Sequence, residues 1–370
     1  MLLRIRHFLD IPKEEWDEFI YSNSMGWAYF LYDVIKIHRF SSYKNKSFAI
    51  LNEKDEILFV IQLHLTPQHK LVSQWGFCVK DNLAPKQLKK VQQFYKEYID
   101  FVIDKYKIKS FEICFAPLSA ANSPKFHNML NPGMFFGFEP GIRYTHVVDL
   151  SKTDDKMLAD CEETTRQSIR KIEKSQKYTI IESDGSNYDC QKYIKLHKET
   201  YTRTDAKRII ISDDYHKYIF SKLIPQGLCK VFFLKNNETN EYIASTIILL
   251  YKNTAFYWWG CSKNKKDIGI NKYLLFKTIC YIRELFGKNG YFETGDAYPY
   301  LRTGKNKGLS DYKKCFGTFL HPIYTGNYFL EFKRKEFKFC GMKIRYKSYI
   351  KPKTTFIKNM QNDYIIVQSK

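Results

Sequence analysis

The sequence of 370 residues predicts an α/β (α+β) protein made of two tandem units, each with a mixed sheet flanked by helices. One order of elements occurs twice along the chain: strand, hairpin, strand, strand, helix, strand. The third strand of each copy ends in Trp-Gly, at Trp75-Gly76 and Trp259-Gly260. A helix of this length between two strands is a crossover, so the strands on either side of it can lie parallel.

The first copy is predicted from short apolar runs and one amphipathic segment. Its strands are expected at 47–51, 57–65, 71–76 and 110–116. Its helix begins near Pro85, because apolar residues then recur at three- and four-residue steps. These residues are Leu88, Val91, Tyr95, Tyr98 and Val102.

The second copy repeats this pattern, with strands expected at 229–234, 242–250, 254–260 and 291–295. The apolar face of its helix consists of Leu275, Ile279, Ile282 and Phe286. Asn271 is placed to cap the start of that helix, and Gly287 and Gly290 are placed to end it.

The segments around the second copy complete the domain prediction. Residues 154–178 are expected to form one charged helix, and residues 188–224 two helices. The last forty residues contain eleven Lys/Arg against three acidic residues, interleaved with aromatic residues. We therefore predict a first unit at 1–145, a second at 146–330 and a basic, aromatic-rich extension at 331–370.

Charge and cysteine usage limit the class of protein. Lys and Arg exceed Asp and Glu by 60 to 39, a net charge of +21, which favours an anionic partner such as CoA or nucleotide phosphates, tRNA, a lipid pyrophosphate or a membrane surface. The nine cysteines form no C-x-x-C pair, which is typical of reduced thiols and predicts no metal site.

No signal peptide or apolar run of about 20 residues is evident, so a cytoplasmic protein is expected. For the extension we expect packing on the second unit together with weak attraction to the inner face of the membrane.

Four segments of the second half resemble a known family. They read TTRQSIRKIEKSQKYTII (164–181), YIKLHKETYTRT (193–204), TAFYWWGCS through NKYLLFKTICYIRELFGKNGYFETGD (254–296) and GLSDYKKCFGT (308–318). Together they are similar to the FemA/FemB group of tandem GNAT-fold proteins and to the related BioF2-like acetyltransferases. The resemblance implies that the second unit is catalytic and that an acyl or aminoacyl group is transferred to an amine.

Acidic residues after the last strand of the second copy are the candidates for proton transfer. In ETGDAYPY (293–300), Asp296 and Glu293 could accept the amine proton as general base, and Tyr298 could act as an acid. The alternative is an ordinary turn. In the family that the chain resembles, a lysine at the place of Lys313 lies next to the site. A cation there could stabilise phosphate or an oxyanion. The alternative is that Lys313 is a solvated surface lysine.

The acyl donor is expected at a strand end and a helix start. Trp259, Gly260 and Cys261 would offer backbone to the donor, and Gly269, Ile270 and Asn271 begin a helix that could bind its pyrophosphate. Core packing of the tryptophans and simple capping by Asn271 are the alternatives. The donor is expected to be an acyl-CoA, above all acetyl-CoA, or else an aminoacyl-tRNA.

The acceptor is expected to meet two further pairs of residues. Arg166 and Arg170 lie four residues apart on one helix face and could grip phosphates. The alternative is a solvated face that pairs with neighbouring glutamates. Tyr201 and Arg203 follow a helical stretch and could line the acceptor cleft.

Three functions fit these observations. The first is an N-acyltransferase acting on an amino sugar, nucleotide sugar or lipid-linked precursor in cell-envelope polysaccharide biosynthesis. The second is a FemAB-type transferase that uses aminoacyl-tRNA to build peptidoglycan bridges. The third, supported by charge alone, is a basic nucleic-acid-binding protein without catalysis.

Overall fold

The computed structural model describes residues 1–119, 130–204, 211–263 and 269–328, and the backbone of 337–339 and 342–344. The chain divides into two compact units. The first contains Met1–Phe30, Ser42–Gly141 and the chain from Tyr324 onwards, and the second contains Leu31–Ser41 and Ile142–Ile323. Apart from the two short strands after residue 336, the predicted extension 331–370 lies outside the described residues.

The structure contains the predicted order of strands and helices, but the strand expected at 57–65 is two strands in different sheets, and the strands Phe138–Asp149 and Phe319–Tyr328 were not predicted. The strands are β1 (Arg4–His7), β2 (Lys44–Asn45), β3 (Phe48–Leu51), β4 (Ile57–Ile61), β5 (His64–Leu65), β6 (Lys70–Ser73), β7 (Phe77–Val79), β8 (Ser110–Cys114), β9 (Phe138–Asp149), β10 (Tyr178–Glu182), β11 (Cys229–Asn236), β12 (Tyr242–Tyr251), β13 (Thr254–Ser262), β14 (Tyr291–Ala297), β15 (Phe319–Tyr328), β16 (Phe337–Phe339) and β17 (Met342–Ile344). The α-helices are α1 (Lys13–Ser22), α2 (Tyr32–Lys36), α3 (Pro85–Tyr106), α4 (Asp154–Asp160), α5 (Glu163–Ser175), α6 (Asn187–Arg203), α7 (Asp213–Tyr218), α8 (Ile270–Phe286) and α9 (Lys305–Lys314).

In the first unit, β1, β3, β4 and β7 form an antiparallel sheet in that order. The predicted crossover is confirmed, because β6 pairs parallel to β8 and α3 joins the two. The strand expected at 71–76 is shorter than predicted. It ends at Ser73, and Gly76 turns the chain at φ +87°, where the ring of Phe115 occupies the space that a Cβ would need.

In the second unit, β10, β11, β12 and β13 are successive antiparallel neighbours. The helix α8 then crosses to β14, which pairs parallel to β13 on one side and antiparallel to β9 on the other. The predicted α/β fold with two mixed-sheet units is therefore confirmed. Leu275, Ile279 and Ile282 are buried as expected, and Gly287 ends the helix at φ +67°.

Two local predictions were wrong. Asn271 does not cap α8: Gly269 is the N-cap residue, and the Asn271 amide instead donates to Ser262 Oγ at 3.1 Å. The single helix expected at 154–178 is two helices, α4 and α5. They are separated because Cys161 and Glu162 are extended and the Glu162 N–H donates to the carbonyl of Cys315 at 3.0 Å.

Among the described residues, no helix has the length and apolar character that crossing a bilayer requires.

Candidate active site

The parallel strands β13 and β14 separate at the centre of the second unit. They pair only from Thr254 opposite Tyr291 to Phe256 opposite Glu293, although β13 continues to Ser262 and β14 to Ala297. Opposite β9, Thr294 is an additional residue in β14, a bulge that shifts the register between Glu293 and Gly295. The strands therefore open directly beyond Glu293, where sequence analysis placed the catalytic groups.

Glu293 lies at the start of this opening and is 2% exposed. Its Oε1 accepts a hydrogen bond from the Thr145 hydroxyl at 2.7 Å, whereas its buried Oε2 has no hydrogen-bond partner among the described residues. Burial raises the pKa of Glu293 to about 8, and the nearby Asp296 carboxylate acts in the same direction. Glu293 is thus a buried carboxyl group with a raised pKa and one oxygen that no described residue engages.

Lys313 reaches the same place from α9. Its Nζ donates to the backbone carbonyl of Asp296 at 3.3 Å and would lie 2.7 Å from a Cβ at Gly295. Gly295 has φ +95°, a backbone conformation that strongly favours glycine, and a Cβ here would also displace the end of the lysine. Burial lowers the pKa of Lys313, and the carboxylates of Asp296 and Glu293 oppose this effect.

Asp296, the first candidate for the general base, lies at the rim of the opening. Its carboxylate accepts hydrogen bonds from Arg143 at 2.9 Å and from the Tyr298 hydroxyl at 3.2 Å. The side chains of Asp296 and Arg143 are 43% and 49% exposed. Tyr298, the candidate acid, therefore contacts Asp296, and the geometry makes Glu293 the better placed base.

Sequence analysis missed His146 on β9. Its buried ring lies between two hydroxyl groups, with Nε2 at 3.1 Å from Ser310 Oγ and Nδ1 at 3.0 Å from Thr318 Oγ1. Burial, with a contribution from the positive charge of Lys313, lowers the pKa of His146 to about 4. No local motif marks this histidine; only the antiparallel pairing of β9 with β14 brings it to the site.

Gly260 lies on β13 beyond the point where the strands part. Trp258 is an additional residue in β13 opposite β12, and after this bulge the Tyr257 hydroxyl lies where a Cβ of Gly260 would be. The carbonyl of Gly260 accepts a hydrogen bond from Tyr201 at 3.4 Å. The Cβ side of Gly260 is therefore occupied by the Tyr257 side chain.

A cavity of about 140 Å³ lies beside the end of β13. It is lined by several predicted residues, namely Arg203, Gly260, Cys261 and Asn271. The guanidinium group of Arg203 donates to the Ser262 carbonyl at 3.0 Å. The structure thus brings together the predicted donor residues at the strand end and the predicted acceptor residues at the end of α6.

The tryptophans of β13 pack within an aromatic cluster. Trp259 meets His197 edge-on at 5.7 Å and Tyr201 at 6.0 Å, and Trp258 meets Tyr215 at 6.1 Å. Cys261 is buried, and burial raises the pKa of its thiol. These contacts account for the two tryptophans as packing residues.

The predicted pyrophosphate site at the start of α8 is described from Gly269 onwards. Gly269 has φ +103°, and its Cα packs against Ser168 of α5. Ile270 is buried and begins the helix. The preceding residues 264–268 lie outside the described part of the chain.

Arg166 and Arg170 share one face of α5 but differ in their surroundings. The guanidinium group of Arg166 donates to the carbonyls of Ala159 and Cys161, at the end of α4, so it joins the two helices. Arg170 is exposed. Of the two arginines, Arg170 is therefore the one whose side chain faces solvent.

Within the ranges that the structure describes, no group of three or more His, Cys, Asp or Glu residues could hold a metal ion. The arrangement offers a buried carboxyl group, a buried lysine and an opening between two strands. A carboxyl group and a lysine are residue types that can transfer a proton and stabilise negative charge in acyl transfer.

Residues 159–301 match the acetyltransferase (GNAT) domain family, which confirms the predicted enzyme class. The chain has the fold of the FemAB-like tandem GNAT proteins, so the resemblance drawn from the sequence is also confirmed.

Solved structures with this fold cover most of the chain. FemX is 16% identical, with a TM-score of 0.65 over 86% of this chain and 96% of FemX. L-PGS from Bacillus licheniformis is 13% identical, with a TM-score of 0.57 over 87% of this chain and 93% of L-PGS. At these identities the likeness concerns the fold. No significant match was found among curated protein sequences.

Proposed function

We propose that the protein transfers an acyl group from an acyl-CoA to an amine. Acetyl-CoA is the proposed donor. The proposed acceptor is an amino sugar, nucleotide sugar or lipid-linked precursor of cell-envelope polysaccharide. The observation that carries the proposal is the buried Glu293 carboxyl group, whose Oε2 has no hydrogen-bond partner in the described part of the chain and which lies where β13 and β14 part.

The reaction needs a neutral amine, a polarised carbonyl and a proton acceptor. The amine nitrogen attacks the thioester carbonyl, the C–N bond forms and the C–S bond breaks. The amine proton passes to Oε2 of ionised Glu293 and then to the departing thiolate, which leaves as a thiol. Thr145 occupies the other carboxylate oxygen, and the Lys313 cation stabilises negative charge on the carbonyl oxygen.

Glu293 suits this role better than Asp296. A base is most effective when its pKa lies near the working pH, and the pKa of Glu293 is raised to about 8. The Asp296 carboxylate is instead engaged by Arg143 and Tyr298. We therefore assign proton transfer to Glu293 and the ordering of the rim to Asp296.

The test compares Glu293→Gln with the matched variant Asp296→Asn. Glutamine keeps the shape and can still accept the Thr145 hydrogen bond, but it cannot take a proton. General-base catalysis typically contributes about 10²–10⁴-fold, so we expect kcat to fall by that factor in Glu293→Gln and by less than about tenfold in Asp296→Asn. Unchanged turnover in Glu293→Gln would remove this residue from the mechanism.

A second candidate function is FemAB-type transfer from aminoacyl-tRNA. It is favoured by Tyr257, whose hydroxyl covers Gly260, and by Tyr312, which donates to the Asn271 carbonyl at 3.2 Å. Both tyrosines line the cavity at the end of β13 and reduce the space for a pantetheine arm there. The net charge of +21 suits tRNA as well as CoA.

Binding measurements separate the two donors. Acetyl-CoA should raise the unfolding temperature if the protein uses it, while bulk tRNA should not. Tight tRNA binding that weakens steeply with salt, together with turnover of aminoacyl-tRNA, would establish the second function instead.

We further propose a cytoplasmic protein with weak attraction to anionic membranes through 331–370. Its support is the excess of eleven basic over three acidic residues in this segment. Each cation near an anionic leaflet contributes about 1 kcal/mol. We expect the protein to co-sediment with phosphatidylglycerol vesicles but not with phosphatidylcholine vesicles. Removal of 331–370 should abolish this co-sedimentation. Equal sedimentation with both kinds of vesicle would contradict the proposed attraction to anionic membranes.

A further inference from the structure

We propose that His146 is a positioning residue that holds Lys313 at the open end of β14. The inference deepens the proposed function, since it rests on Lys313 acting in acyl transfer. It concerns how the short helix α9, which carries Lys313, is fixed to the sheet.

The helix α9 is anchored on two sides. On one side Tyr312 packs against the apolar core of the second unit and donates to the Asn271 carbonyl at 3.2 Å. On the side that faces β14, the two buried residues of the helix are Ser310 and Lys313. Polar contacts of these two residues fix that side.

Ser310 is the central contact. Its Oγ lies 3.1 Å from His146 Nε2 and accepts a hydrogen bond from the backbone N–H of Tyr298, also at 3.1 Å. It thus joins α9 both to β9 and to the residue that follows β14. Lys313 is three residues later, on the same side of the helix, and donates to the Asp296 carbonyl.

His146 completes the connection. Its Nδ1 pairs with the Thr318 hydroxyl at 3.0 Å, and its backbone carbonyl accepts a hydrogen bond from Thr294 at 3.2 Å. A neutral imidazole has one donor and one acceptor, and the hydroxyl groups of Ser310 and Thr318 can complement either tautomer. The ring is therefore fixed from both sides, and it fixes Ser310 in turn.

The first experiment measures the accessibility of Lys313 without any acyltransferase assay. The full-length protein is labelled competitively with acetic anhydride and analysed by mass spectrometry. We expect Lys313 to react about tenfold faster in His146→Ala and in Ser310→Ala than in the wild type. Lys272, which donates to Thr165 at 2.9 Å, serves as the internal reference and should not change.

Kinetics provide the second readout. A displacement of about 1 Å at a reacting group can cost about 10²-fold, so we expect kcat to fall by that factor in His146→Ala while the donor KM stays within about twofold. His146→Gln should recover most of the loss, because an amide offers both a donor and an acceptor. His216→Phe, a change at another buried histidine of the same unit, should leave kcat unchanged.

The outcomes are distinguishable. Unchanged Lys313 labelling in both His146→Ala and Ser310→Ala overturns the positioning role, whatever the enzyme does. Faster labelling of Lys313 and Lys272 together also overturns it, since that indicates general loosening. Selective Lys313 labelling without acyl transfer to any amine supports the positioning contact and rejects the proposed function.

Discussion

The substitution Glu293→Gln should lower activity and raise stability at the same time. The folded protein keeps Glu293 protonated up to a pKa of about 8, whereas the unfolded chain ionises it at its usual value of 4.5. Between these two values the unfolded state has released a proton that the folded state still binds. The folded state is therefore progressively disfavoured as pH rises from 4.5 to about 8.

The size of this effect follows from the two pKa values. Each tenfold change in an equilibrium corresponds to about 1.4 kcal/mol, so burying this carboxyl group costs about 5 kcal/mol once the pH reaches 8. Glutamine has no proton to lose, and it retains the hydrogen bond from Thr145. The stability of the variant relative to the wild type should thus increase by about 1.4 kcal/mol per pH unit across this range.

Urea unfolding of both proteins between pH 5 and 8.5 provides the measurement. To make tryptophan fluorescence report on the second unit, Trp16, Trp27 and Trp75 of the first unit are replaced by Phe in both proteins, which leaves Trp258 and Trp259. Ionisable groups that do not interact with Glu293 affect both proteins alike and cancel in the difference, whereas Asp296 and Lys313 are coupled to it. Asp296→Asn is the control, because that carboxylate is at the rim and 43% exposed. A difference between Glu293→Gln and wild type that is constant with pH would refute the buried, protonated carboxyl group.

Three further substitutions test other contacts of the second unit. Burial lowers the pKa of His216 to about 3, so between pH 6.5 and 5 the unfolded chain gains a proton that the folded state excludes; in urea unfolding the wild type should lose about 2 kcal/mol more there than His216→Phe, because the other buried histidines, His38 and His146, titrate in both proteins. Gly295→Ala should cost about 1–2 kcal/mol and reduce kcat, because its Cβ would lie 2.7 Å from Lys313 Nζ at a positive φ; full turnover would contradict the close approach. Arg166→Ala should lower the free energy of unfolding by about 1–2 kcal/mol through its lost bonds to two carbonyls, and an unchanged unfolding midpoint would contradict this.

The strands and crossover helices could be predicted because their signals are local. Runs such as 242–250 and 254–260 are apolar, aromatic and bounded by turn residues, and the structure places β12 and β13 there. The failures arose from contacts outside the local sequence. Spacing alone does not show that the chain between α4 and α5 is tied to Cys315, a residue more than 150 positions away.

The chemistry of the site depends on contacts that no local pattern contains. In the sequence, Asp296 and Glu293 are equivalent carboxylates three residues apart. The fold distinguishes them by bringing Arg143 to the first and Thr145 to the second. The resulting difference in environment, more than residue type or spacing, decides which carboxyl group can exchange a proton near neutral pH.

The opening between β13 and β14 and the position of Lys313 lie next to the same irregularity in β14. The bulge at Thr294 shifts β14 against β9, and Gly295 then leaves room for the lysine where a side chain would stand. Pairing continued past Glu293 would close the opening that the substrates need. The helix α9 therefore stabilises the end of β14, where pairing with β13 is lost. The contact between Ser310 and His146 contributes to this stabilisation, and a substitution can remove it without altering any proposed reacting group.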